Sequence, residues 1–149
     1  YCSRKKRIMK LYFDTSALVK KYISETGSEN ADKLFLSASE IYISIIGHVE
    51  AVSSFRRLLL EKEIKKKDYE LLKSEIAQDF KYFNVIDVSS EIVYYAVKVI
   101  DKYQLKSLDS LHLAAALAVK TDIDYFISSD QKLLKAAENE GFKVINPND

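Results

Sequence analysis

The stretch LYFDTSALVKKY, residues 11–22, aims one carboxylate, Asp14, out of the end of an apolar run and follows it with two hydroxyl residues, Thr15 and Ser16. Two chemistries fit that placement. Asp is among the best N-caps for a helix, here one starting near Ala17. An acid at a strand end can equally join others in holding a metal ion. Three further acids stand in comparable settings. Asp130, in SSDQKLLKAAE, also opens a helix. Asp109, in LKSLDSLHLAAALAVK, lies near the start of an Ala-rich helix, where an acid complements the helix dipole. Glu50, in ISIIGHVEAVSSFRR, falls more than a turn inside a helix. Its neighbours three and four residues away are Ile46, Gly47, Ser53 and Ser54, none of them basic, so no i,i+4 ion pair accounts for it.

Other site chemistries find less support. His112 shares a helical face with Asp109; it reads as a packed helix histidine, with support to a neighbouring site as the alternative. His48 has no partner in the pattern. Neither histidine is paired with a second at zinc-ligand spacing, and the single Cys2 leaves neither an internal disulfide nor a Cys-type zinc site. There is no Gly-rich phosphate loop and no nucleophile elbow for a Ser-His-Asp triad. A phosphatase of the haloacid dehalogenase type also opens on a strand-end Asp, but wants an acid two residues later, where this chain has Ser16. A receiver domain needs an acidic pair near its phospho-accepting Asp, and none is found.

The elements that must position these residues follow from periodicity. Strands are expected at KLYF 10–13, IYIS 41–44, NVIDV 84–88, DYFIS 124–128 and KVIN 143–146. Helical spacing links Tyr69, Leu72, Ile76, Phe80 and Phe83, then Ile92, Ala96, Val99 and Tyr103. Leu133, Leu134 and Ala137 mark a last helix, closed by Gly141. Strands alternating with helices predict one α/β domain with a mostly parallel sheet covered on both faces. Ligand sites in such sheets lie beyond the carboxyl ends of the strands. Asp14 and Asp130 therefore emerge on one edge if their strands are neighbours, an adjacency the sequence leaves open.

With 48% hydrophobic and 30% charged residues, the 149-residue chain has the balance of a single globular domain. No apolar run approaches the ~20 residues of a membrane helix, and a cytoplasmic setting is expected. The net charge of +1 hides an asymmetry: YCSRKKRI, residues 1–8, carries four basic side chains and no acid. These residues are expected to be a basic extension, disordered or a start-site artefact, ahead of a domain over 9–147. The remainder is slightly acidic, so any nucleic acid must be held locally rather than by bulk charge.

The segments LYFDTSALVKKYISETGSE, GHVEAVSSFRR, LKSLDSLHLAAAL and DYFISSDQKLLKAAENEGFKVINP, in that order, resemble the PIN-domain family, and within it the VapC-type toxin ribonucleases of VapBC toxin–antitoxin pairs. The resemblance runs from about Met9 to Pro147. It implies a three-layer α/β/α sandwich with a central, mostly parallel sheet of about five strands. It also implies dimers, Mg2+- or Mn2+-dependent endoribonuclease activity on RNA, and a small antitoxin that blocks the site. The family's four acids map to Asp14, Glu50, Asp109 and Asp130, with Ser128 at the hydroxyl position of the last segment.

Four gathered carboxylates repel one another, and each like charge raises its neighbour's pKa, so such a cluster calls for a cation. All-oxygen ligands select Mg2+ or Mn2+ over zinc or copper. On this reading Asp14, Asp109 and Asp130 ligate the metal, while Glu50 ligates through water or orients the nucleophile. Thr15 and Ser128 support them from behind. Lys20, Lys21, Arg56, Arg57 and Lys132 are candidates to grip flanking phosphates. The rival expectations are an RNA-processing nuclease without an antitoxin and a non-catalytic interaction module with its acids serving as caps.

Overall fold

Five segments rich in β-branched and aromatic residues pair into one sheet: β1 (Met9–Phe13), β2 (Ala38–Ser44), β3 (Asn84–Ile86), β4 (Tyr125–Ile127) and β5 (Val144–Ile145). The computed structural model describes residues 9–149; the basic extension over 1–8 lies outside the described residues. All strand pairings are parallel, in the order β3-β2-β1-β4-β5. β1 and β4 are thus neighbours, with Leu11 opposite Tyr125 and Phe13 opposite Ile127. The Asp14 backbone N–H continues this pairing by donating to the Ile127 carbonyl (3.0 Å).

The helices are α1 (Thr15–Leu18), α2 (Ser28–Ser37), α3 (Ile46–Leu60), α4 (Lys66–Asp79), α5 (Ser90–Tyr103), α6 (Ser107–Ala118) and α7 (Gln131–Asn139). Side-chain alternation along the strands divides the core in two. Leu11, Phe13, Ile43 and Ile127 pack with Ala17 and Leu18 of α1, Ala51 and Phe55 of α3, and Ile76 of α4. Tyr12 and Phe126 face the other way and pack with Val99 of α5, Leu113 of α6, and Leu133 and Ala137 of α7. Helices therefore cover both faces of the sheet, which explains why its strands read as continuous apolar runs.

The expected elements form with adjusted limits. β3 and β4 stop at Ile86 and Ile127, short of the expected 88 and 128. Ser128 instead turns its hydroxyl onto Asp14, and Ser89 caps α5 through Oγ, which accepts from the Ile92 N–H at 3.2 Å. β2 begins three residues earlier than expected, directly after α2. Only Ala31 of α2 is buried, so that helix carries too little apolar face to signal itself. Gly141, at φ +96°, ends the α7 segment in the left-handed region as expected. Ser89→Ala should remove one cap at a cost of about 1 kcal/mol. Thermal unfolding followed by circular dichroism should show the midpoint falling by about 2–4 °C.

Candidate active site

Strand ends and helix starts meet at the carboxyl edge of the sheet, around an open cleft of about 640 Å³. Asp14, Glu50, Asp109 and Asp130 all line it. Each comes from a different place: the end of β1, the second turn of α3, the first turn of α6 and the turn before α7. The first and last stand 116 positions apart in the chain, brought to one edge because β1 sits beside both β2 and β4.

Asp14 is buried at the floor. Its Oδ1 accepts from Ser16 Oγ (2.7 Å) and from the Ala17 N–H (3.0 Å), and its Oδ2 accepts from Ser128 Oγ (2.7 Å). Asp14 is thus the N-cap of α1 and a member of the acidic group at once; the two readings of the sequence are compatible. The same holds for Asp130, whose Oδ1 accepts from the Leu133 N–H at 2.9 Å. Ser128 is fully buried beneath the floor, and its Oγ also accepts from the Asp130 N–H (3.0 Å). Ser16 Oγ accepts from the Ser129 N–H (2.9 Å), so the loop after β1 is tied to the loop after β4.

Burial pushes the Asp14 carboxyl above its usual value, against the opposing pull of His112 and of the Ser128 and Ser16 hydroxyls. Asp109 is raised as well, first by burial and then by the like charges of Asp130 and Asp14, with Glu50 adding to them. No hydrogen bond or ion pair among the described residues engages the Asp109 side chain. Glu50 behaves differently. Burial would raise it, but the hydrogen bond and charge of His112, with the Thr15 hydroxyl, hold it below the usual glutamate value. Its Oε1 accepts from Thr15 Oγ1 (2.7 Å) and lies 2.7 Å from His112 Nε2. The partner that α3 itself could not provide comes from α6.

The basic candidates separate. Lys20 and Arg57 line the cleft. Lys20 is buried, an unusual state for lysine, with Nζ donating to Glu25 Oε1 (3.1 Å) and the Thr26 carbonyl (2.6 Å). Lys21, Arg56 and Lys132 do not line it. Lys21 pairs with Asp79, Arg56 lies over the Tyr69 ring at 5.9 Å, and Lys132 Nζ donates to the Gln104 carbonyl at 2.8 Å. Sequence reasoning missed Glu25, a fifth acid in the lining, and the Ser16 and Ser129 bridges between the loops. No periodicity marks these residues, since the loop geometry alone brings them in.

The donor set fits a hard divalent cation. It is made of carboxylate and hydroxyl oxygens, and it leaves Asp109 without a partner among the described residues. The Ser129 hydroxyl, also in the lining, is the buried side-chain polar atom without a hydrogen bond among the described residues. No group of three or more His, Cys, Asp or Glu side chains among the described residues is gathered closely enough to hold a metal ion. An open cup of this kind suits Mg2+, which keeps several waters and takes only one or two carboxylates directly.

Three comparisons bear on this arrangement. The chain is 26% identical over 141 residues to Ribonuclease VapC47 of Mycobacterium tuberculosis (strain CDC 1551 / Oshkosh), spanning 92% of this chain and 96% of the relative. Its fold matches that of a toxin-antitoxin complex from Klebsiella pneumoniae (TM-score 0.68, 19% identity, 92% of this chain and 97% of that one). It also matches FitAcB from Neisseria gonorrhoeae (TM-score 0.70, 16% identity, 92% and 97%). The family model for the PIN domain matches residues 11–139, which include β2 to β4, the last three residues of β1, and Asp14, Glu50, Asp109 and Asp130, so the chain belongs to the PIN-domain family.

Proposed function

We propose that this protein is a divalent-metal-dependent endoribonuclease and the toxin of a toxin–antitoxin pair. The observation that carries the reading is the convergence of Asp14, Glu50, Asp109 and Asp130 on one cleft. The name of the mycobacterial relative and the toxin–antitoxin complexes among its structural neighbours support it. A small antitoxin that blocks the cleft, a homodimeric assembly and a cytoplasmic location belong to the same proposal. No helix among the described residues is long and apolar enough to cross a membrane.

Asp14, Asp109 and Asp130 would hold Mg2+ or Mn2+. When bound, the ion supplies acidity to water and neutralises charge on the phosphoryl oxygens. Asp14 is positioned for this by three hydrogen bonds, two to Oδ1 and one to Oδ2, which leave a lone pair on Oδ2. Asp109 is free to turn to the ion, because no described residue binds its side chain. Glu50 is held by one oxygen and can orient water with the other. Arg57 and Lys20 would bind flanking phosphates, giving a slightly acidic domain a local grip on RNA. Lys21, Arg56 and Lys132 stand outside the cleft, so their contribution would be confined to more distant parts of a long substrate.

The test is cleavage of a labelled single-stranded RNA by purified protein. Cleavage is expected with Mg2+ or Mn2+ and not in excess EDTA. RNA that stays intact with either ion, or is cut equally in EDTA, would remove the metal-nuclease reading.

A further inference from the structure

Glu50 is not free in its cleft. His112 and Thr15 converge on one of its oxygens, Oε1, and no described residue binds Oε2. His112 Nε2 lies 3.0 Å from Thr15 Oγ1, so the three side chains close a triangle. Behind the ring, Nδ1 lies 2.9 Å from the Tyr12 hydroxyl. Tyr12 and His112 are both buried, and their rings meet edge to face at 78°. Tyr12 in turn stacks on Phe126 of β4, with ring centroids 5.2 Å apart and planes 10° from parallel.

Both ring nitrogens of His112 are therefore engaged. A carboxylate can only accept, so the hydrogen between His112 and Glu50 resides on Nε2. That bond fixes which way the ring faces. Tyr12 holds the other side, and the Tyr12–Phe126 stack prevents it from tilting. The residues come from both helical layers: α6 covers one face of the sheet, and α1 and α3 cover the other. The clamp spans the edge of the sheet, directly beside the acidic floor.

We propose that His112, locked by Tyr12, is the positioning residue that holds Glu50 through Oε1 and presents Oε2 to the cleft. Glu50 then orients the attacking water instead of ligating the metal directly. The proposal rests on the nuclease reading above, but it makes a claim about the metal-free protein that stands apart from activity. Glu50 is committed to two donors on Oε1, whereas no described residue binds the Asp109 carboxylate. Orienting partners of this kind change rates by about 10- to 100-fold when removed.

Imidazole NMR on metal-free protein tests the clamp directly. Wild type is expected to show a His112 Hε2 proton protected from exchange with water, with protection reduced in Glu50→Ala, which leaves no carboxylate to accept from Nε2, and the signal absent in His112→Leu. Tyr12→Phe keeps the ring stack and removes only the hydroxyl; its Nδ1 resonance should shift. Kinetics on single-stranded RNA should then show kcat reduced about 10-fold in Tyr12→Phe and about 100-fold in His112→Leu, with KM little changed. His112→Gln should recover part of the loss, since its amide can still donate to Glu50. Mn2+ affinity by calorimetry should match wild type in Tyr12→Phe and His112→Leu. A folded Tyr12→Phe with full kcat would overturn the inference, as would a fall in Mn2+ affinity in it equal to that of Asp109→Asn. An Hε2 that exchanges freely sinks the clamp alone, whereas wild type that never cuts RNA sinks the nuclease reading alone.

Discussion

Asp14→Asn is expected to lower the rate of RNA cleavage by ~10³-fold or more while leaving the protein folded. Losing a direct metal contact removes charge stabilisation of about 4 kcal/mol in the transition state, and each 1.4 kcal/mol or so is a factor of ten. The fold is protected by the same hydrogen bonds that position the acid. An Asn carbonyl can still accept from Ser16 Oγ and the Ala17 N–H. Its amide can donate to Ser128 Oγ, which has lone pairs for both that bond and the Asp130 N–H. Burial already disfavours the charged form of Asp14, so a neutral isostere does not lower the thermal midpoint. Single-turnover cleavage of labelled RNA, paired with thermal melting, checks both halves. Wild-type rates from a variant preparation free of contaminating nuclease would show that Asp14 is only a helix cap.

Asp109→Asn should separate function from stability in the opposite directions. Cleavage is expected to fall about 100-fold, with weaker Mn2+ binding by calorimetry. The metal-free variant should nonetheless melt higher than wild type. Burial and the charges of Asp130 and Asp14 raise the folded-state pKa of Asp109. As pH rises, the unfolded chain then releases this proton first, so folding stability falls across the interval from the ordinary value of 3.8 up to the raised folded value. Above that interval the cost is fully present, and Asn removes it. The gain in melting temperature should appear at neutral pH, amount to about 2–4 °C for each kcal/mol, and vanish at pH below about 3.5. Adding Mg2+ at ten times its Kd should stabilise wild type by about 1.4 kcal/mol and the variant by much less. A variant whose metal-free midpoint equals wild type at every pH would show that the acids do not feel one another.

The four acids were legible because strand and helix signals placed them, and a resemblance across nearly the whole chain ordered them. Local pattern reaches that far because apolar periodicity reports which face of an element is buried. It specified β1 ending at Phe13, Glu50 inside α3 and Gly141 closing α7, each within a residue or two of where it lies. Local pattern does not reach contacts between elements. That β1 lies against β4, joining Asp14 to Ser128 across 114 residues, follows from the order of strands in the sheet. That Glu50 pairs with His112, 62 residues away, follows from α3 and α6 meeting across the edge of that sheet from opposite layers. The same packing buries Lys20 against Glu25 and commits Lys21 to Asp79, choices no composition foretells. Sequence determined which groups carry charge and which segments aim them; tertiary structure decided which charges share a space, because electrostatic interaction depends on separation through space and not along the chain.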